Sequence, residues 1–228
     1  MDNKLLSLLQ LCDSNFPTGA FSHSFGLESY IQEDKVHDAS SFSQWLRVYL
    51  HEQLTYSDGL ACRQVYEALQ SEDISRIWEI DRRITVQNLP RETRQGTQMI
   101  GNRMLKLTEE LYGMPILSQY RANITKKQSF GHPAIVFAMV AHGLGVSQST
   151  SILYYLYSAI SSQVQNAVRA IPLGQTAGQK IIQQFQSELE QAVETIMQLT
   201  EDDFGIVSPG IELSQMKHER VHIRIFMS

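Results

Sequence analysis

Residues 152–168 read Ile152-Leu-Tyr-Tyr-Leu-Tyr-Ser-Ala-Ile-Ser-Ser-Gln-Val-Gln-Asn-Ala-Val168. Ile152, Leu156, Ile160, Val164 and Val168 recur every four residues, a spacing that aligns side chains along one face of an α-helix and marks a helix packed in a core. The same period continues in both directions. Upstream, Phe42, Trp45, Leu46, Tyr49 and Leu50 recur at steps of three and four, predicting a long helix from about residue 41 to about residue 70, with cap candidates in Asp38-Ala-Ser-Ser. Ile74, Ile77, Trp78 and Ile84 extend the pattern over about 73–87. Asn88-Leu89-Pro90 interrupts it, and Pro90 suits the first position of a helix running to about Tyr112. Gly113-Met-Pro115 is a turn. Pro133 opens a very apolar helix, Ala134 to Ala141, which Gly143 and Gly145 stop. Downstream, Pro172 and Gly174 precede a last long helix with Ile182, Phe185, Leu189, Val193, Ile196 and Leu199 on one face. Residues 3–12 form a short apolar helix, and Gly26 to Gln32 begin another. Strand-like alternation is confined to Val221-His-Ile-Arg-Ile-Phe226. The expected fold is all-α: a single-domain helical bundle of about ten helices over 1–228, with 200–228 as an adaptable C-terminal tail.

Composition narrows the function classes. A chain of 228 residues, 43% hydrophobic, supports one sizeable core. The net charge of −5 gives nucleic-acid binding no electrostatic support. The two cysteines, Cys12 and Cys62, sit in apolar helical context and read as buried thiols rather than a disulfide. No secretory leader and no apolar run of the ~20 residues that span a bilayer is visible, so the expectation is a cytoplasmic protein without a membrane partner.

Two islands break the helical pattern. Asp13-Ser-Asn-Phe-Pro-Thr-Gly-Ala-Phe-Ser-His-Ser-Phe-Gly-Leu-Glu-Ser-Tyr30 combines Pro17, Gly19 and Gly26 with three phenylalanines and a histidine. It is too broken for a helix and too aromatic for a disordered segment, so it reads as an ordered loop. Ala167-Val-Arg-Ala-Ile-Pro-Leu-Gly-Gln-Thr-Ala-Gly-Gln-Lys180 is the second. Ordered, uncharged, glycine-containing loops beside an adaptable tail are properties of an interaction module.

The catalytic motifs are weaker than they look. His218-Glu-Arg-Val-His222 matches H-E-x-x-H, which on a helix holds zinc with two histidines and uses the glutamate as general base. A metal-dependent hydrolase using His218, Glu219 and His222 is therefore the alternative function. Its flanks, Val221, Ile223, Ile225 and Phe226, favour an extended chain that separates the histidines, and the motif otherwise reads as surface tail. Gly174-Gln-Thr-Ala-Gly178-Gln-Lys180 has one residue too few for a phosphate-binding loop, and Ile181 stands where a magnesium-binding hydroxyl belongs. Its plain reading is a helix start where small residues allow close approach. Ser22, His23 and Asp13 lack a nucleophile elbow. Seven scattered histidines and two cysteines form no nickel-storage run. Arg91 and Arg94 open a helix at the end where its dipole disfavours cations, so they read as solvated, with a contact for an acidic partner as the alternative. Arg169, beside an apolar stripe, is expected to pair with a buried carboxylate.

The same islands resemble the UreF family of urease accessory proteins. Phe16-Pro-Thr-Gly-Ala-Phe-Ser-His-Ser-Phe-Gly-Leu-Glu28 resembles the family's N-terminal signature, and Ala167 to Gln179 resembles its second. Met216-Lys-His-Glu219 with Arg224-Ile-Phe-Met-Ser228 is similar to its C-terminus, and Glu52 to Gly59 and Tyr154-Tyr-Leu-Tyr fit as well. The resemblance implies an all-helical, dimeric, non-catalytic scaffold. Such a scaffold binds the accessory protein UreD (or UreH) and the nickel-carrying GTPase UreG, assembles the GTPase and regulates its turnover, and serves nickel delivery to apo-urease. Nickel is then cargo, and the chain itself holds no cofactor. By position, the resemblance places Phe21 and Arg224 at the GTPase-facing surface and assigns partner binding to Phe21, His23, Arg169, Arg224 and Phe226. The tail and the N-terminal helix are expected to order against UreD. Some members carry a His and a Cys before the tail, whereas Asp202-Asp-Phe-Gly-Ile206 has neither.

Overall fold

The computed structural model describes residues 3–228, so residues 1 and 2 of the expected domain lie outside the described residues. Among the described residues there are eleven α-helices and no strand. They are α1 (Asn3–Cys12), α2 (Leu27–Gln32), α3 (Ala39–Val48), α4 (Leu60–Gln70), α5 (Ile74–Gln87), α6 (Arg91–Tyr112), α7 (Pro115–Thr125), α8 (Pro133–Gly143), α9 (Gln148–Ala170), α10 (Gln175–Gln198) and α11 (Pro209–His218). The all-α expectation holds, with one helix more than about ten.

Helix α8 organises the core. It is apolar all round and buried from Pro133 to Ala141, as a helix enclosed on every side must be. Helices α4, α6, α7 and α9 pack against it. At the α6 crossing the approach is backbone to backbone. A methyl group on Gly101 would overlap the carbonyl oxygen of Gly131 and lie 2.7 Å from the Pro133 nitrogen. Gly178 serves the α9–α10 pair similarly, since a Cβ there would sit 3.0 Å from Val168 and 3.2 Å from Val164. The second island is thus a close-packed helix start, as its small residues indicate.

Element ends follow local chemistry. Asp38 and Ser41 form a reciprocal capping box at the start of α3, with Ser41 N–H donating to Asp38 Oδ1 at 2.8 Å. Gly113 ends α6 in the left-handed region at φ 59. His132 Nδ1 accepts the Ala134 N–H at 3.2 Å ahead of Pro133. Pro90 proves to be the cap residue of α6 rather than its first helical residue.

The predicted helix over 41–70 is one rod with a different middle. Tyr49–Gly59 is a π-helix joining α3 to α4. The Thr55 hydroxyl donates to the Leu50 carbonyl, five residues back, at 2.9 Å, and Gly59 gives way to the Ile196 side chain of α10. Gln53 and Asp58 of this segment line a partly open pocket of about 180 Å³ together with His132 and Tyr155, whose hydroxyl donates to Asp58 at 2.6 Å.

Both cysteines are free, Cys62 buried and Cys12 half-buried. Burial pushes the Cys12 thiol up to about 12, which makes it inert at neutral pH. At the end of the chain, residues 209–218 are helical, and residues 219–228 fold back over α2, α6 and the first island without forming a helix.

Candidate functional site

The first island takes its shape from its glycines. Gly19 (φ 81) and Gly26 (φ 95) adopt the left-handed backbone that glycine enters freely. Between them Ala20–Ser22 make a single 3₁₀ turn, with Phe21 at its apex, 58% exposed. His23 turns inward and is buried. Its Nδ1 lies 2.8 Å from the Ser228 hydroxyl, and Asn166 of α9 donates to its carbonyl at 2.8 Å. Gly96 of α6 makes room for the ring, because a Cβ there would stand 2.6 Å from it. Burial, then the positive Arg103, then His218, hold the His23 imidazole down to about 4, so it is neutral at physiological pH.

The last residues complete this loop. The Ser228 carbonyl accepts from the N–H groups of Ser24 (2.6 Å) and Phe25 (3.2 Å) and from the Ser24 hydroxyl (2.8 Å). Met227 N–H donates to the Ser22 carbonyl at 2.8 Å. Phe226 is buried with the Arg169 guanidinium 5.0 Å above its ring, and the same guanidinium stands 5.8 Å from the Phe21 ring. Arg169 also donates to the Phe21 carbonyl and to the Asn166 side-chain oxygen. Island, second signature and tail are therefore one surface, clasped by an arginine between two phenyl rings.

A charged cluster anchors the tail beneath that surface. The Glu28 carboxylate, almost fully buried, accepts from Ile225 N–H (2.6 Å) and Phe226 N–H (3.1 Å) and faces His218 Nε2 at 2.8 Å. On the other side of the ring, His218 Nδ1 lies 3.3 Å from Glu92 Oε2. Glu92 accepts Arg224 Nη1 with both oxygens, at 2.9 and 3.0 Å. Burial alone would raise the Glu92 carboxyl, but the bonds from Arg224 and His218 outweigh it and hold the group below the usual carboxylate range. Glu219 caps α6, accepting the N–H of Arg91 (2.7 Å) and of Glu92 (3.3 Å), a carboxylate placed where a helix dipole favours one.

The five residues assigned to partner binding divide by depth: Phe21, Arg169 and Arg224 reach the surface, whereas His23 and Phe226 lie beneath it, because one is buried against α6 and α9 and the other under Arg169. Other placements correct expectations. Arg169 meets neutral carbonyl oxygens and aromatic faces, not a carboxylate. Arg94 is tied to the carbonyls of Asn88 and Leu89 instead of being merely solvated. His218 is no surface residue: it is fully buried, while His222 is exposed and Glu219 faces α6. Helix α11 ends at His218, so the three residues of the H-E-x-x-H match point to three different places and present no common metal face. Asp13 bonds to Asn15, not to His23. Glu28 and Glu92 are the residues the sequence pattern missed. A carboxylate inside the glycine-rich island was the available signal for Glu28.

The fold and this site define a helical interaction protein, in which the residues with the most specific chemistry hold a surface in shape. Residues 36–186 match the UreF family. The chain is 54% identical to the urease accessory protein UreF of Lachnoclostridium phytofermentans over 228 residues, covering 100% of both chains. The chain belongs to the UreF family of urease accessory proteins, a non-catalytic family. Among the described residues no helix is long and apolar enough to cross a membrane.

Proposed function

We propose that this chain is the scaffold that recruits the nickel-carrying GTPase UreG to UreD (or UreH) and apo-urease for nickel insertion into the urease active site. It works in the cytoplasm as a homodimer and binds neither nucleic acid nor membrane. Nickel passes as the cargo of the complex, and the chain retains no cofactor of its own. Residues 200–228 are its partner-binding segment, and Phe21, Arg169 and Arg224 supply the contacts, with His23 and Phe226 supporting them from below.

One observation carries this reading. The two stretches most specific to the family, together with the end of the chain, converge on a single surface whose apex is an exposed Phe21 backed by Arg169. An exposed aromatic on a rigid backbone is a good interface anchor, since little entropy is lost when it docks. The test is a pull-down of UreG by a preformed complex of this chain with UreD. Phe21→Ala should weaken recruitment by about tenfold or more, as truncation of a binding hot spot does, without lowering the melting temperature. Undiminished recruitment would remove the island from the interface.

A further inference from the structure

We propose that Glu28 and His218 are the positioning pair of this partner surface: they hold the tail against the island, and the hold carries a proton on His218. The consequence for recruitment rests on the function proposed above, but the hold itself does not.

The argument is one of donors and acceptors. An ionised carboxylate only accepts, so each group that meets Glu28 must donate. Two of its partners are consecutive backbone N–H groups of the tail, and the third is His218 Nε2. Across the ring, Nδ1 faces Glu92, another pure acceptor. An imidazole donates from both nitrogens only as the imidazolium. Charges then balance within the cluster, with Glu28 and Glu92 against His218 and Arg224. A neutral ring would turn a lone pair toward one carboxylate and leave an uncompensated negative charge in an enclosed site. The other charged groups around the cluster are engaged elsewhere. Glu219 caps Arg91 and Glu92 of α6, Lys217 pairs with Glu33 beyond α2 at 2.5 Å, and His23 across the island is held neutral by its burial.

Undocking of the tail removes Arg224 and the two N–H donors from the cluster, so Glu28 loses two of its three partners and Glu92 loses both of its bonds from the guanidinium.

Amide hydrogen-exchange protection factors of Ile225, Phe226 and Met227 in the full chain test the hold, and the ring ¹⁵N signals of His218 test its proton. In the wild type the three amides should be protected and both ring nitrogens should carry hydrogen. Glu28→Gln and His218→Gln should each lower tail protection by about tenfold or more while that of α8 stays constant. Should His218→Gln fold poorly, Glu28→Gln and the wild-type ring signals decide. Unprotected tail amides or a bare ring nitrogen in the wild type, or unchanged tail protection in Glu28→Gln, overturns the proposal. UreG recruitment by the UreD complex should weaken in Glu28→Gln. Recruitment indifferent to an opened tail would overturn the positioning role, whereas wild type that recruits no UreG would fail the proposed function instead.

Discussion

Acid should loosen this chain through His23 before its carboxylates respond. The ring is 1% exposed and is held down to about 4 by burial, by Arg103 and by His218. An unfolded chain offers the same group an ordinary value near 6.5. Because the folded value is depressed, His23 leaves stability intact above about pH 6.5 and removes it progressively as pH falls toward about 4. At about pH 5 the unfolded chain has taken up the proton in nearly every molecule and the folded chain in about one in ten. The resulting penalty is about 2 kcal/mol, and it approaches about 3 kcal/mol at pH ~4. His132 and His142 are also lowered by burial, so the wild-type curve alone does not isolate His23. The informative quantity is a difference between proteins. His23→Asn keeps a small polar group beside Ser228 and removes the titration. Urea unfolding of both proteins at about pH 7.5 and about pH 5 should show the wild type losing about 2 kcal/mol more than the variant. Parallel losses would refute the burial of an ionisable ring between α6, α9 and the tail.

Four further substitutions probe the scaffold. Gly101→Ala forces a methyl group into the backbone of Gly131 and Pro133 and should cost about 3 kcal/mol in denaturant unfolding. Gly174→Ala, where nothing lies within 4 Å of the added carbon, should stay within about 0.5 kcal/mol of wild type. Asp81→Ala removes a fully buried carboxylate that accepts from Phe130 N–H at 2.6 Å and His132 N–H at 3.2 Å. Phe130 N–H is then left without this acceptor while His132 N–H keeps only the Tyr120 hydroxyl, which should cost about 2–3 kcal/mol, read from the melting transition. Arg224→Ala breaks a partly exposed pair with Glu92, so it should cost about 1 kcal/mol of stability, against about 2–5 kcal/mol of partner binding in the pull-down if its guanidinium also meets a partner carboxylate.

The architecture is legible in the sequence where apolar periodicity is strong and where proline or glycine marks an end. The stripe from Ile152 to Val168, the stop at Gly113 and the start at Pro133 all carry through to α9, α6 and α8. It is illegible where a helix buries few apolar residues. Helix α7 buries only Leu117 and Tyr120. Helix α11 buries Ile211, Ser214, Gln215 and His218, a face too polar to register as a stripe, although Pro209 and Glu212 are ordinary start signals. The π-helix is hidden because Leu50 and Leu54 suit either period. In the site, the islands announce themselves by composition. Glu28 and Glu92 do not, since they meet His218 across 190 and 126 residues, a distance over which local patterns carry no information. The tail misleads for the same reason. Its alternation of Ile223, Ile225 and Met227 outward with Phe226 and Ser228 inward is that of a strand, yet its partners are side chains and the amides and carbonyls of a loop rather than a ladder.

The rod from Ala39 to Gln70 also behaves as a gear with a change of pitch. Its π portion spends more residues per turn than the α portions on either side, so the buried residues of α3 and α4 need not share one seam: α10 runs along the whole rod, while α5 and α8 pack on its α4 end. A straight α-helix of that length would present one seam throughout and would suit only one set of neighbours. The wide turns also hold slack. Loss of a single residue between 49 and 59 can be absorbed by tightening one turn to α, with the outer segments keeping their mesh, whereas the same deletion in α8, enclosed on every side, would turn half of its core against the wrong neighbours.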